Sequence, residues 1–165
     1  MADQDKSIEV LLVEDNPGDV NLTQRLLKDC EPPVHFTVAE DGDIALECLR
    51  RQGEYAETPK PDLILLDLAM PRKGGIEVLG EMKEDPDLQN IPVLILTSRE
   101  SEASLLSSMG MHPSRWCQKP IDVARFTRLI KGLQFAPTPA SFEGEQTQAA
   151  EEEPKTKRRW FGRNK

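Results

Sequence analysis

Apolar residues in this chain gather into five short runs, and between the runs they recur at helical spacing. Ile8-Glu9-Val10-Leu11-Leu12-Val13, Leu63-Ile64-Leu65-Leu66 and Pro92-Val93-Leu94-Ile95-Leu96 are almost continuously apolar. That is the pattern of strands buried on both faces. Residues 34–38 alternate apolar with polar and predict a strand with one polar side, and Arg115-Trp116-Cys117-Gln118 predicts a shorter fifth strand. A helix is expected after each. The first spans residues 18–30 with Val20, Leu22, Leu26 and Leu27 at helical spacing. Asn16 suits its N-cap, Pro17 its first turn, and Pro32-Pro33 stop it. Ile44, Ala45, Leu46 and Leu49 mark a second helix after the Asp41-Gly42 turn, followed by a polar loop over residues 54–60. A third passes through Ile76, Val78, Leu79 and Met82 to Asp85-Pro86. A weaker fourth, residues 101–109, puts Leu105, Leu106 and Met109 on one side, and a fifth starts at the N-cap Asp122 and carries Phe126, Leu129, Ile130 and Leu133.

Strict alternation of strand and helix implies parallel strands, right-handed crossovers and helices on both faces. The expected fold is α/β, a doubly wound, flavodoxin-like five-stranded parallel sheet in the order 2-1-3-4-5. The expected organisation is a flexible N-terminus over residues 1–6, a folded domain over 7–133, and a disordered linker with a basic aromatic tail over 134–165. Apolar periodicity is lost from about Pro137 onward.

Charge sharpens that division. The net charge of −8 is uneven: residues 1–133 hold 15 Lys+Arg against 24 Asp+Glu, whereas 134–165 hold 6 against 5, every base at or after Lys155. An acidic body argues against nucleic acid as a partner. No apolar run approaches the ~20 residues of a membrane span, and the polar start is not a signal peptide. Cys30, Cys48 and Cys117 are odd in number and lack metal-type spacing, so reduced thiols in a cytoplasmic protein are expected.

In the order 2-1-3-4-5, the carboxyl ends of the first, third, fourth and fifth strands meet, which is where open α/β sheets bind ligands. The residues just past those strands are Glu14 and Asp15, Asp67, Thr97 and Lys119. Any one reads equally well as a strand terminator; together they read as a site. Three carboxylates repel one another unless a cation neutralises them, and an all-oxygen cluster with few protein ligands suits Mg2+. Lys119 adds a compact positive charge and Thr97 a hydroxyl donor. The set fits phosphoryl transfer onto a carboxylate, with Asp67 as nucleophile and Thr97 and Lys119 holding the phosphoryl oxygens.

Leu12-Val13-Glu14-Asp15-Asn16, Leu65-Leu66-Asp67-Leu68-Ala69-Met70-Pro71, Leu96-Thr97-Ser98 and Gln118-Lys119-Pro120 resemble the four motifs of two-component response-regulator receiver domains. The likeness covers about residues 7–133. Asn16-Pro17-Gly18-Asp19-Val20, the loop from Tyr55 to Asp62, and Glu84-Asp85-Pro86 with Ile91-Pro92-Val93 resemble the stand-alone receivers associated with bacterial phytochromes. The resemblance implies a phosphorylation-dependent bacterial signalling module in a phosphorelay. Asp67 would accept a phosphoryl group from a sensor histidine kinase, of phytochrome type in the narrower match. Glu14, Asp15, Asp67 and the backbone carbonyl of Ala69 would hold Mg2+. Thr97 and Lys119 would bind the phosphoryl group, the Lys119-Pro120 bond is often cis in such domains, and Trp116 stands at the aromatic switch position. Output would run through the fourth helix, fifth strand and fifth helix, a face that also offers a homodimer contact.

This chain departs from the pattern in places. Trp116 is bulkier than the usual Tyr or Phe and reads equally as a packing anchor. Gly74 stands where an Asp is common, and Ala69 and Arg99 lack the polar group that orients a hydrolytic water, so slow self-dephosphorylation is expected. Two other functions compete: a receiver that acts unphosphorylated as a scaffold, and an aspartyl-phosphate phosphatase. The second wants an acid two residues past the nucleophile, where Ala69 stands, so the chain is not expected to be an enzyme acting on other substrates. No helix-turn-helix follows. The tail, with Trp160-Phe161 among its bases, is too short and irregular to read DNA and is expected to dock on a protein or on an anionic membrane, about 1 kcal/mol per basic residue in the second case, with an inert solubilising tail as the alternative.

Overall fold

The computed structural model describes residues 7–135; the expected flexible start and the linker and tail from residue 136 onward lie outside the described residues. The chain runs β1 (Ile8–Val13), α1 (Pro17–Leu26), β2 (Val34–Ala39), α2 (Gly42–Arg50), β3 (Leu63–Asp67), α3 (Gly75–Glu84), β4 (Val93–Thr97), α4 (Glu100–Ser108), β5 (Trp116–Gln118) and α5 (Val123–Phe135). Every strand pairing is parallel, and the sheet order is β2-β1-β3-β4-β5, the expected 2-1-3-4-5.

Period-two side-chain alternation divides the core into layers. Leu63 and Leu65 of β3 join Val10, Leu12, Leu94, Leu96, Leu27, Phe126 and Ile130 on the side covered by α1 and α5. Ile64 and Leu66 join Leu11, Val13, Ala45, Leu46, Leu49, Val78 and Met82 under α2 and α3. All five residues of β3 are buried, as a continuously apolar run requires of a central strand.

The helix starts follow the capping chemistry read from the sequence. Asn16 Oδ1 accepts from the backbone N–H groups of Gly18 (2.8 Å) and Asp19 (3.2 Å), with Pro17 in the first turn. Asp122 Oδ1 accepts from Arg125 N–H at 3.0 Å before α5. α3 lacks this support, because its N-cap Gly74 has no side chain to accept a bond.

Two helices differ from expectation. α1 ends at Leu26 rather than near residue 30, and Leu22 and Leu26 are 45% and 36% exposed. Thr23 and Leu27 take the inward positions instead, since a helix starting at Pro17 turns that pair toward the sheet. In α4 only Leu106 is buried, packed with Leu68 and Ile95, while Leu105 and Met109 stay exposed. That helix touches the sheet along a narrow line.

Candidate functional site

Strand register builds the site. Val13, the last residue of β1, pairs with Leu66, so Glu14 comes level with Asp67 at the end of β3. Asp67 pairs with Leu96, which puts Thr97 one residue beyond it, and Gln118 pairs with Thr97, which delivers Lys119 past β5. Backbone bonds continue the pairing, with Glu14 N–H donating to Ala39 O (3.0 Å), Leu68 N–H to Leu96 O (3.2 Å) and Lys119 N–H to Thr97 O (2.8 Å). All five expected site residues therefore lie at one edge. The Lys119-Pro120 peptide is cis.

Lys119 is the hub. Its ammonium donates to Glu14 Oε2, lies 3.1 Å from Asp19 Oδ2 and lies 3.3 Å from Asp67 Oδ2. Asp67 Oδ1 accepts from the backbone N–H of Ala69 at 3.2 Å, and Glu14 Oε1 from that of Asn16 at 3.1 Å. Carboxylate oxygens of Glu14, Asp15 and Asp67 lie within 4.8 Å of one another, the one such cluster found among the described residues. Glu14 and Asp67 are buried and Asp15 reaches the surface, giving the cluster a dry floor and an open mouth.

The electrostatics follow from that burial. Desolvation pushes Glu14 from 4.5 up to about 7, against the Lys119 and Asn16 hydrogen bonds that favour the anion. Burial also raises Asp67, opposed by Lys119 and the Ala69 amide. Lys119 loses by burial but gains more from Glu14, Asp67 and Asp19, and its ammonium is held above its ordinary value. Two buried acids that resist ionisation, with a third acid at the rim, form a set that a hard divalent cation stabilises. The donor chemistry, all oxygen and carboxylate-rich, fits such an ion.

Thr97 is 1% exposed, and its hydroxyl donates to the carbonyl of Cys117 at a long 3.4 Å. Trp116 pairs with Ile95 and packs half-buried against the Leu68, Ile95 and Leu106 cluster beside Met111. Its indole N–H is shielded and meets no acceptor among the described residues.

Two residues of the site escaped the sequence reading. Asp19 enters the sequence pattern only within the Asn16–Val20 stretch and with no role of its own, yet it pairs with Lys119. Gly75 carries no sequence signal of its own, yet its N–H donates to Leu68 O (3.2 Å), and a Cβ there would lie 2.6 Å from the Asp67 carbonyl oxygen and 3.0 Å from Leu68 Cα. Glycine thus lets α3 start directly over the Asp67-Leu68 peptide. Gly75→Ala is expected to lower stability by about 1–3 kcal/mol, because backbone rather than a flexible side-chain tip must yield. Urea unfolding measures this, and a loss under about 0.5 kcal/mol contradicts the close approach.

The family profile of the response regulator receiver domain matches residues 10–131. Over 125 residues the chain is 38% identical to the response regulator Rcp1 of Synechocystis sp., covering 76% of this chain and 85% of Rcp1. The solved Mn(2+)-bound form of Rcp1 superposes with TM-score 0.63 at 36% identity, covering 81% of this chain and 99% of that one. The bacteriophytochrome response regulator AtBRR gives TM-score 0.69 at 36% identity, with 80% and 96% covered. The phosphorylated cyanobacterial phytochrome response regulator RcpA gives 0.62 at 37%, with 78% and 92% covered.

Proposed function

The chain belongs to the response regulator receiver domain family, and we propose that it is a phosphorylation-dependent switch in which Asp67 takes a phosphoryl group from a histidine of a sensor kinase. The observation that carries this reading is the Lys119 ammonium lying against both Glu14 and Asp67 beside a cluster of three carboxylates.

Asp67 attacks through a side-chain oxygen. The new O–P bond forms as the P–N bond of the phosphohistidine breaks, and its electron pair returns to the imidazole. The Ala69 amide and Lys119 hold the two Asp67 oxygens in place, so little motion separates the resting carboxylate from the attacking one. Thr97 gives up its long bond to Cys117 O and turns its hydroxyl to a phosphoryl oxygen, and Lys119 donates to another. Glu14, Asp15, Asp67 and the Ala69 carbonyl would hold Mg2+, which would supply neutralising charge for the phosphoryl oxygens. The oxygen-only donor set and the Mn(2+)-bound form of Rcp1 support a divalent ion here, and the phosphorylated form of RcpA supports the chemistry.

Movement of Thr97 frees space beside Trp116 and alters the α4–β5–α5 face. Leu105 on α4, Met109 just past its end and Val123 at the start of α5 are exposed there, which supports output by protein–protein contact, homodimerisation included. The phytochrome-associated relatives support a phytochrome-type kinase as donor. Residues 7–133 form the signalling unit in this reading, and the tail beyond docks it on a protein or an anionic membrane. Three buried free cysteines support a cytoplasmic setting; among the described residues no helix is long and apolar enough to cross a membrane. Chemistry is confined to gaining and losing the phosphoryl group.

With acetyl phosphate and Mg2+, the protein is expected to gain about 80 Da by intact mass, and EDTA is expected to prevent it. No adduct with Mg2+ present contradicts the proposal. Loss of the group should be slow, because Ala69 and Arg99 present neither amide nor carboxylate to position water on the phosphorus. A radiolabel chase is expected to show a lifetime of minutes or more; decay within seconds excludes it.

A further inference from the structure

The three N–H bonds of the Lys119 ammonium face three carboxylates, Glu14, Asp19 and Asp67. Glu14 and Asp67 belong to the oxygen cluster that fits a cation, and Asp19 does not. It sits in the first turn of α1, three residues past the N-cap Asn16, with its side chain 40% exposed against 2% for Glu14 and 4% for Asp67. We propose that Asp19 is a positioning residue that anchors Lys119 from outside the cation cluster, keeping the ammonium at the site while Glu14 and Asp67 serve other partners. The inference rests on the receiver reading and adds to it a residue outside the acceptor site.

An ammonium and a divalent cation drawing on the same two buried carboxylates repel each other across a few ångströms, and little solvent screens them. A cation in the cluster therefore pushes Lys119 off Glu14 and toward Asp19, and the ammonium needs a counter-charge on that side. Asp19 already touches it at 3.1 Å from the solvent side. Without that carboxylate, Lys119 has only Glu14 and Asp67 left, and it contests both with the metal. The N-capping bonds of Asn16 to Gly18 and Asp19 fix the height of this first turn, so the anchor is set by the start of α1.

A double-mutant cycle reads the effect directly, using Mg2+ titration by calorimetry on the wild type, Asp19→Asn, Lys119→Met and the pair. Asp19→Asn is expected to weaken Mg2+ binding roughly threefold or more when Lys119 is present and to leave it nearly unchanged in the Lys119→Met background. Asp19→Glu is expected to restore affinity. Equal weakening in both backgrounds means that Asp19 acts only as a distant negative charge, and that overturns the proposal. No weakening in either overturns it too. A wild type that binds no Mg2+ at all removes the cation site on which this inference and the receiver chemistry both stand, and the titration separates that outcome from failure of Asp19 alone.

Discussion

Asp67→Ala treated with acetyl phosphate and Mg2+ is expected to keep its unmodified mass under conditions that label the wild type fully, a loss of at least about a hundredfold in rate. Geometry makes the effect this large. Asp67 ends the central strand with one oxygen on the Ala69 amide and the other beside the Lys119 ammonium, which leaves its carboxylate aimed and its neighbours arranged around the incoming group. Glu14 shares the Lys119 contact, and in the receiver reading its carboxylate is committed to the cation. Asp15 lies at the open rim of the cluster, and in the receiver reading it too is committed to the cation. Neither can take over the role. The variant also removes a buried acid whose ionisation burial opposes, so it should fold at least as well as the parent, and lost labelling cannot be put down to unfolding. Labelling of the variant at the parental rate places the acceptor elsewhere.

Glu14→Gln is expected to raise stability at pH 8 by on the order of 2 kcal/mol and to abolish the stabilising effect of Mg2+. Burial lifts Glu14 from 4.5 to about 7 and lifts Asp67 in the same direction. A carboxyl raised in the folded state binds its proton more tightly there than in the unfolded chain, so folding becomes less favourable as pH rises. The cost begins near the ordinary value of 4.5 and is complete once pH passes about 7. The wild type should therefore lose stability between those values, and Glu14→Gln should lose less. Mg2+ stabilises only where the acids are ionised, by about 2.7 kcal/mol at a hundred times its Kd. Urea unfolding at pH 5 and pH 8, with and without Mg2+, shows whether the difference between the proteins opens with pH and closes with the ion. A constant difference contradicts the burial argument. Stability is thus given up at this edge to keep acids ready for a cation.

Much of this was legible beforehand. Continuous apolar runs such as 63–66 report burial on both faces, and strict strand–helix alternation leaves few topologies, so strand order and the meeting of Glu14, Asp67, Thr97 and Lys119 followed. What escaped has physical reasons. Leu22, Leu26 and Leu27 share one apolar stripe on paper, but helical phase set at Pro17 decides which of them turns inward. Asp19 looks like any acid favouring a helix N-terminus; its pairing with Lys119 depends on a contact spanning 100 residues of sequence. Gly75 acts through the Cβ it lacks, which leaves no pattern in the sequence. The tail bases and Trp160-Phe161 lie outside the described residues.

Borohydride reduction of the phosphorylated protein, followed by peptide mapping, tests the central claim most directly, because reduction turns an aspartyl phosphate into homoserine at the residue that carried it. Homoserine is expected at position 67 and nowhere else. Homoserine at Asp15 or another aspartate, hydroxynorvaline at Glu14 or another glutamate, or a full phosphoryl adduct with no homoserine at position 67, contradicts the account.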